Sequence, residues 1–321
     1  MKTKKIVLIV IFVAIIAAMV GLIVKTGIDR KKRDGKIQIV VSNFASYDFL
    51  RAIIGDDDSI ELTFLSGPWK DAHIYSPGTQ YMVYIQNADM FVYIGGDSEN
   101  WSTDTVKDID KNKTKVICIA DFVDKMEEEE VDGAEEEDEE ETEGAFEDHI
   151  WTSPSNAIKM VEALEEAMEE INPENSEKYK ANSEAYIAQI RDVDSKIREI
   201  VDNRVRDTLV FGDKMPMQYF IDYYGLKVSA AFNGCSTETE PSAKTRAYLE
   251  TKVREENIPV VLYIELSNGP VANGIAEDVG NGCKAMQIQT LHNVSLDDFK
   301  NGETWVSLMT RNLDVLRAAL Q

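Results

Sequence analysis

The chain has 321 residues, a hydrophobic fraction of 44% and a formal net charge of −24. This length and composition suit two globular units with real apolar cores. Fifteen carboxylates lie between Glu127 and Asp148, so the rest of the chain carries a charge of only −9. Nucleic-acid binding needs clustered lysine and arginine, so a body without a basic stripe is not expected to bind nucleic acid, whereas it is compatible with attracting cations.

The N-terminal segment is typical of a membrane anchor. An uncharged run of nineteen residues, IVLIVIFVAIIAAMVGLIV at positions 6–24, follows MKTKK. A helix of this length can cross a hydrocarbon core of about 30 Å with some tilt, whereas secretory signal cores usually span about 7–15 residues. We therefore predict that residues 1–36 form an uncleaved helical anchor with a basic linker, or a signal if the segment is cleaved. Basic residues flank the run on both sides, so their charge does not set its orientation.

Residues 37–172 read as a first α/β lobe. Strand-like runs at 37–44, 60–67, 90–96 and 115–120 alternate with helical patterns at 47–55 and 79–88. Short β-branched runs that alternate with helices predict a parallel sheet. The acidic run at 127–148 has almost no apolar residues, and its self-repulsion predicts a disordered excursion. The pattern at 153–172, with its capping serine and early proline, predicts a helix.

The second half of the chain repeats this plan after one long helix. Residues 173–203 contain no glycine and no interior proline, and their apolar side chains recur at near-helical spacing. Residues 204–321 then read as a second lobe, with strands at 207–212, 227–232, 258–266 and 284–291, helices at 217–226, 242–257 and 304–320, and a further segment at 272–280. The predicted fold class is α/β, with two parallel-sheet lobes joined by one long helix.

All three histidines follow a predicted strand or leave a loop. His73 follows the strand at 60–67, His149 ends the acidic run, and His292 ends the strand at 284–291. A lone loop histidine is more often structural, but ligands bind beyond the carboxyl ends of parallel strands, and neutral imidazole is the commonest metal ligand. Their shared placement therefore favours a metal site.

Two carboxylates could complete such a site. Asp213 ends the strand at 207–212, and Glu265 lies near the end of a run that is too apolar to hold a bare charge without a partner. Each also has a structural interpretation, because Asp213 could cap the following helix and Glu265 could be a hydrogen-bonded or salt-bridged carboxylate. The sequence leaves both alternatives open.

Enzyme motifs are absent from the sequence. It has no GxGxxG, GxxxxGK[ST], GxSxG or HExxH pattern. A zinc hydrolase that used the same histidines would need an open coordination position and a nearby general base, for which Glu265 is the only candidate. Because no catalytic motif accompanies the histidines, we do not expect an enzyme. The three cysteines form no CxxC pair and could give either one disulfide and a free thiol or three buried thiols, at positions Cys118, Cys235 and Cys283.

Five segments together resemble one protein family. They are DAHIYSPGTQYMVYIQNADMFVYIGG (71–96), EDHIWTSPSNAIKMVEAL (147–164), FGDKMPMQYFIDYYGL (211–226), CSTETEPSAKTRAYLETKV (235–253) and VVLYIELSNG (260–269). The chain is similar here to the zinc- or manganese-binding extracytoplasmic solute-binding proteins of ABC transporters, cluster A-I. The match runs in order through residues 37–320, and its HxYxP, NADxFxYxGG and HIWxSPxNA elements are specific in combination.

The resemblance implies two Rossmann-like lobes that bind a metal between them and are bridged by a rigid helix. His73 and His149 match the family's two N-lobe ligands, and His292 replaces its usual aspartate. The remaining ligand, a histidine or glutamate before the first C-lobe helix, has no direct match here, and Asp213 is offset from it by about one residue. Glu265 matches a position that is more often near the metal than bound to it.

The resemblance also implies a function. The body would be a monomeric receptor outside the cytoplasm, held to the outer face of the plasma membrane by the N-terminal segment, that delivers Zn²⁺ to an ABC permease. Three imidazoles and one carboxylate favour Zn²⁺ over Mn²⁺, although a manganese receptor or a surface adhesion protein that retains the fold is an alternative. The acidic run would either solubilise the protein or collect divalent cations weakly.

Overall fold

The computed structural model describes residues 35–70, 75–135, 146–234, 236 and 240–321. Residues Gln38–Asp57 and Leu62–Gln321 form one compact unit, which contains the site considered below. The other unit comprises Met1–Ile37 and Asp58–Glu61, and the predicted anchor at residues 6–24 lies outside the described residues. No helix in the described part of the chain combines the length and the apolarity that a membrane span requires.

The N-terminal lobe is built on a parallel sheet with strand order β2-β1-β3-β4. The strands are β1 (Ile37–Val41), β2 (Ile60–Phe64), β3 (Met90–Tyr93) and β4 (Lys115–Cys118). The helices described in this lobe are α1 (Phe44–Ile54), α2 (Thr79–Gln86) and α3 (Asn100–Lys107). Phe91 and Leu65 are buried in a core that the aromatic side chains of Tyr75 and Tyr81 partly cover.

Two helices follow the N-terminal lobe, α4 (Pro154–Ile171) and α5 (Ser176–Asp202). The 27 residues of α5 extend about 40 Å at about 1.5 Å per residue. Its buried side chains recur every three or four positions, and the helix packs against α4 and α1. The predicted long helix is therefore present as α5, and a separate 3₁₀ helix at Pro173–Asn175 precedes it.

The C-terminal lobe repeats the architecture with strand order β6-β5-β7-β8. Its strands are β5 (Thr208–Lys214), β6 (Lys227–Phe232), β7 (Val260–Ile264) and β8 (Lys284–Ile288). The helices described here are α6 (Gln218–Tyr224), α7 (Ala243–Glu255), α8 (Pro270–Val279), α9 (Leu296–Lys300) and α10 (Trp305–Leu320), and α10 packs against α5. The predicted fold class, two parallel α/β lobes joined by a long helix, is confirmed.

The described part of the acidic run is ordered against the C-terminal lobe. Residues 127–135, called the acidic strap below, lie beside the edge strand β6. Asp132 pairs with Ser229 in a parallel bridge, and the backbone N–H of Ala230 donates to the Asp132 carbonyl at 3.2 Å. The Glu135 N–H donates to the Ala231 carbonyl at 3.1 Å. The strap thus continues the sheet at an edge that would otherwise present unpaired backbone groups.

The structure differs here from the disordered excursion expected at 127–148. Backbone pairing with β6 and the neutralised charge of Asp132 outweigh the mutual repulsion of the acidic side chains in the strap. Residues 136–145 lie outside the described residues. The Asp132 carboxylate accepts hydrogen bonds from Ser229 Oγ at 2.8 Å, Tyr248 OH at 2.7 Å and Lys252 Nζ at 2.8 Å. Burial opposes ionisation of this group, but the bonds from Lys252, Tyr248 and Ser229 outweigh it and lower the pKa of Asp132.

We expect Asp132→Asn to lower the free energy of unfolding by about 1–2 kcal/mol at pH 7, because it removes a charge-assisted bond at a half-exposed site. Urea denaturation measures the change. Since the folded-state pKa is lowered, the difference should shrink as the pH falls below the ordinary value of 3.8. The control is Asp104→Asn, whose side chain is 91% exposed and pairs with Lys107. Equal effects of the two substitutions would contradict the role of the strap.

Candidate metal centre

A cavity of about 680 Å³ lies at the carboxyl ends of the C-lobe strands. Its wall includes Asp213 from β5, Glu265 after β7 and His292 after β8. Residues that follow β2 in the N-terminal lobe, Lys70 and Tyr75 among them, form another part of the wall. In the C-lobe sheet, β5 leads to β6 on one side and β7 leads to β8 on the other, so the cavity lies at the topological switch point where such sheets bind ligands.

His149 is buried, with 1% of its surface exposed, directly before the 3₁₀ turn Ile150–Thr152 that leads into α4. Its Nδ1 contacts Glu147 Oε1, and its backbone N–H donates to the same oxygen at 2.8 Å. In the neutral tautomer that donates Nδ1–H to Glu147, Nε2 carries the lone pair that a metal requires. Glu147 therefore orients the ring as carboxylates commonly orient metal-binding histidines.

The surroundings of His149 favour a positive charge. Burial opposes the imidazolium, but the carboxylates of Glu147, Asp148 and Glu128 outweigh it and raise the pKa of His149 to about 9. Glu147, Asp148 and His149 are all buried, and one ligand atom from each lies within 4.8 Å of the others. Sequence reasoning singled out only His149 of these three, because the two acids are hidden in a longer acidic run.

His292 lies beside His149. The ring centroids are 5.3 Å apart and the ring planes make an angle of 85°. Two imidazoles that share a tetrahedral Zn²⁺ at about 2.1 Å per Zn–N bond place their centroids about 5 Å apart. The spacing therefore fits one ion bound by both rings, and these two predicted ligands come from different lobes.

A chain of hydrogen bonds holds these two histidines together. The indole Nε1–H of Trp151 donates to the carbonyl of Thr290 at 2.9 Å, and the indole Nε1–H of Trp305 donates to the carbonyl of Trp151 at 2.9 Å. Leu291, next to His292, has a left-handed φ of 58°. A leucine adopts this conformation only where the surrounding contacts impose it, so the loop is held in a specific shape.

Glu265 is buried and bound by Thr290. The Thr290 backbone N–H donates to Oε2 at 2.7 Å, and the Thr290 hydroxyl lies 2.9 Å from Oε1 and 3.0 Å from Oε2. Burial raises the pKa of Glu265. Of the two interpretations left open by the sequence, these contacts favour the hydrogen-bonded structural carboxylate, which fixes the loop that carries His292.

Asp213 has an unsatisfied oxygen. Oδ1 accepts from the Lys214 backbone N–H at 2.9 Å, whereas the buried Oδ2 takes no hydrogen bond from the described residues. The preceding Gly212 allows α8 to pack closely, since a Cβ there would lie 2.6 Å from Ala272 Cα. A buried carboxylate oxygen without a donor is costly, so Asp213 fits a cation at the cavity wall.

His73, the third predicted histidine ligand, lies outside the described residues. The chain before it is joined to the His292 loop, because Asn293 Nδ2 donates to the Lys70 carbonyl and the Trp69 N–H donates to the Val294 carbonyl at 2.9 Å. Of the cysteines, Cys118 and Cys283 carry free thiols, and Cys235 lies outside the described residues.

Comparisons with known proteins identify similar chains. The sequence model described as zinc-uptake complex component A, periplasmic, matches residues 39–319. The zinc-binding lipoprotein AdcA of Streptococcus pneumoniae is 29% identical over 304 residues, which cover 94% of this chain and 60% of that protein. The high-affinity zinc uptake system protein ZnuA of Bacillus subtilis is 28% identical over 291 residues, which cover 89% of this chain and 88% of that protein.

The fold matches as well. The Zn(II)-bound ZnuA-like domain of Streptococcus pneumoniae AdcA superposes with a TM-score of 0.74 at 27% identity, over 89% of this chain and 99% of that domain. The present chain thus corresponds to one domain of the pneumococcal protein and spans 60% of its length.

A buried acid near this centre predicts a pH dependence. Burial raises the pKa of Glu99 from 4.5 to about 7, although the Ile94 N–H donates to its carboxylate at 2.7 Å. Between these values only the unfolded state is ionised, so the free energy of unfolding should fall by about 3 kcal/mol as the pH rises through this interval. Glu99→Gln should remove the part of the fall that Glu99 causes, in urea titrations at pH 5 and pH 8, whereas the part that the raised pKa of His149 causes above pH 6.5 should remain. The exposed control Glu277→Gln should retain the whole fall, and an equal slope in both variants would contradict the assignment.

Proposed function

The chain belongs to the family of periplasmic zinc-uptake components, and from that premise we propose that it is a zinc receptor that delivers Zn²⁺ to an ABC permease for import. The observation that carries the proposal is the convergence of His149 and His292 from different lobes, with 5.3 Å between their rings. The family is one of metal receptors and not of enzymes. Zn²⁺ is therefore the transported solute.

The proposed ligands are His149, His292 and Asp213, together with His73. The ring spacing supports the first two, and the unsatisfied buried oxygen supports Asp213. The hydrogen bonds from the His292 loop to Trp69 and Lys70 hold the chain shortly before His73 at the cavity. This placement supports His73 as a further ligand. A site richer in nitrogen than in oxygen favours Zn²⁺ over Mn²⁺.

The proposed receptor is monomeric and lies outside the cytoplasm, tethered by residues 6–24. The uncharged run in the sequence supports the tether, and the lipoprotein and periplasmic descriptions of its relatives support the location. Because both lobes contribute ligands, transfer to the permease requires the lobes to loosen around the ion. The packing of α5 against α1 and α10 supports a small movement.

Isothermal titration of the full chain in mild detergent tests the proposal. We expect one Zn²⁺ per chain with sub-micromolar affinity and binding of Mn²⁺ that is at least about tenfold weaker. His149→Ala and His292→Ala should each lower the zinc affinity more than about 100-fold. Loss of a group that only hydrogen-bonds to a metal ligand lowers metal affinity about 10–100-fold, and loss of the ligand itself should lower it further.

Asp213→Asn has a matched control in Asp104→Asn, an exposed carboxylate on α3. Only the first substitution should weaken zinc binding. If the unmodified chain does not bind zinc tightly, the proposal that it is a zinc receptor is refuted. If it binds Mn²⁺ more tightly than Zn²⁺, the transported solute is manganese and not zinc.

The orienting role of Glu147 gives a second prediction. Glu147→Gln should lower the zinc affinity about 10–100-fold, because the amide holds the His149 ring less firmly and donates less charge to it. The free energy of unfolding of the zinc-free protein, measured in parallel, separates this effect from general destabilisation. Unchanged zinc affinity would contradict the role assigned to Glu147.

A further inference from the structure

The first two side chains of α6, in the C-terminal lobe, bind the start of the acidic strap and the residue before it. The Tyr219 hydroxyl accepts a hydrogen bond from the Met126 N–H at 3.0 Å. The Gln218 amide accepts from the Glu129 N–H at 3.2 Å and donates to the Glu127 carbonyl at 2.8 Å. Both side chains are buried. The strap follows β4 of the N-terminal lobe in the chain, so α6 binds across the boundary between the lobes.

The backbone that α6 binds is joined to His149. The Met126 carbonyl accepts from the Glu147 N–H at 3.0 Å, and Glu127 pairs with Phe146 in an antiparallel bridge. The Glu147 carboxylate in turn accepts from the His149 N–H at 2.8 Å and contacts the ring at Nδ1. A continuous path of hydrogen bonds therefore runs from α6, through the Met126 backbone and Glu147, to the His149 imidazole.

The other end of α6 is fixed to the long helix α5. The Tyr224 hydroxyl donates to Asp194 Oδ1 at 2.8 Å, and the Tyr223 hydroxyl donates to Oδ2 at 3.2 Å. Arg198 pairs with the same carboxylate at 3.2 Å, and its guanidinium carbon lies 4.5 Å from the centre of the Tyr223 ring. The start of α6 thus binds the strap, and its end binds α5.

We infer that Tyr219 and Gln218 are positioning residues for zinc binding, which hold His149 at its distance from His292 by fixing the start of the strap to the C-terminal lobe. The hydrogen bond from the neighbouring indole to the His292 loop is a second connection to that lobe. The two histidines therefore stay together on the C-terminal lobe when the lobes loosen around the ion. This inference rests on the proposed function, because it concerns the same site.

Zinc titration of the full chain in mild detergent, with Tyr219→Phe and Gln218→Met, tests the inference. Each substitution should lower the zinc affinity about threefold to tenfold, because it removes hydrogen bonds that act on the ligand only through Glu147. In a His149→Ala background the same substitutions should leave the remaining zinc affinity unchanged, since the side chain that they position is absent. With His149 present, both should also alter the visible absorption of the Co²⁺-loaded chain, which reports the geometry of the ligands.

The matched control is Tyr224→Phe, which removes a hydroxyl from the same helix at the end that binds Asp194. It should lower the free energy of unfolding and change neither the zinc affinity nor the Co²⁺ spectrum.

Two results would overturn the inference and leave the proposed function standing. One is tight zinc binding that Tyr219→Phe and Gln218→Met leave unchanged. The other is a loss of zinc affinity that is equally large in the His149→Ala background, or that comes without any change in the Co²⁺ spectrum, since the role would then be only structural. If the unmodified chain does not bind zinc tightly, the proposed function fails and the inference fails with it.

Discussion

The hydrogen bond from the Trp151 indole to the Thr290 carbonyl joins the segments that carry the two central histidines. Trp151 is two residues from His149, and Thr290 is two residues from His292. The Glu265 carboxylate then holds the Thr290 N–H and hydroxyl from the other side. The proposed metal site between the lobes requires that parts of the chain far apart in sequence meet within a few ångströms, and this buried network supplies that constraint.

A second buried carboxylate fixes the frame around the site. Asp48 on α1 accepts from the Trp305 backbone N–H at 2.7 Å, from Arg51 at 2.5 Å and from the Tyr186 hydroxyl on α5. Asp48, in the N-terminal lobe, therefore binds the first turn of α10 in the C-terminal lobe. The N-terminus of a helix carries a partial positive charge, so a carboxylate is favourable there. Burial raises the pKa of Asp48, so its donors offset a real desolvation cost. The acidic strap adds a third connection, from the N-terminal lobe to β6.

Periodicity predicted the alternating strands and helices well, because buried parallel strands and amphipathic helices have strong local patterns. The helices α3 and α9 were missed, since eight and five mostly polar residues give no clear period. The strap was misjudged because its order depends on Lys252 and on the β6 edge, which are distant in the sequence. Glu147 was missed for a similar reason. In the sequence it is one of many acids in the run, and only the folded structure shows that it is buried beside His149.

Zinc K-edge X-ray absorption of the zinc-loaded full chain tests the central claim most directly. The account predicts a shell of nitrogen and oxygen only, with at least two imidazoles, and the loss of one imidazole in each of His149→Ala and His292→Ala. A shell that contains sulfur, or one without imidazole, would contradict a metal site shared by His149 and His292.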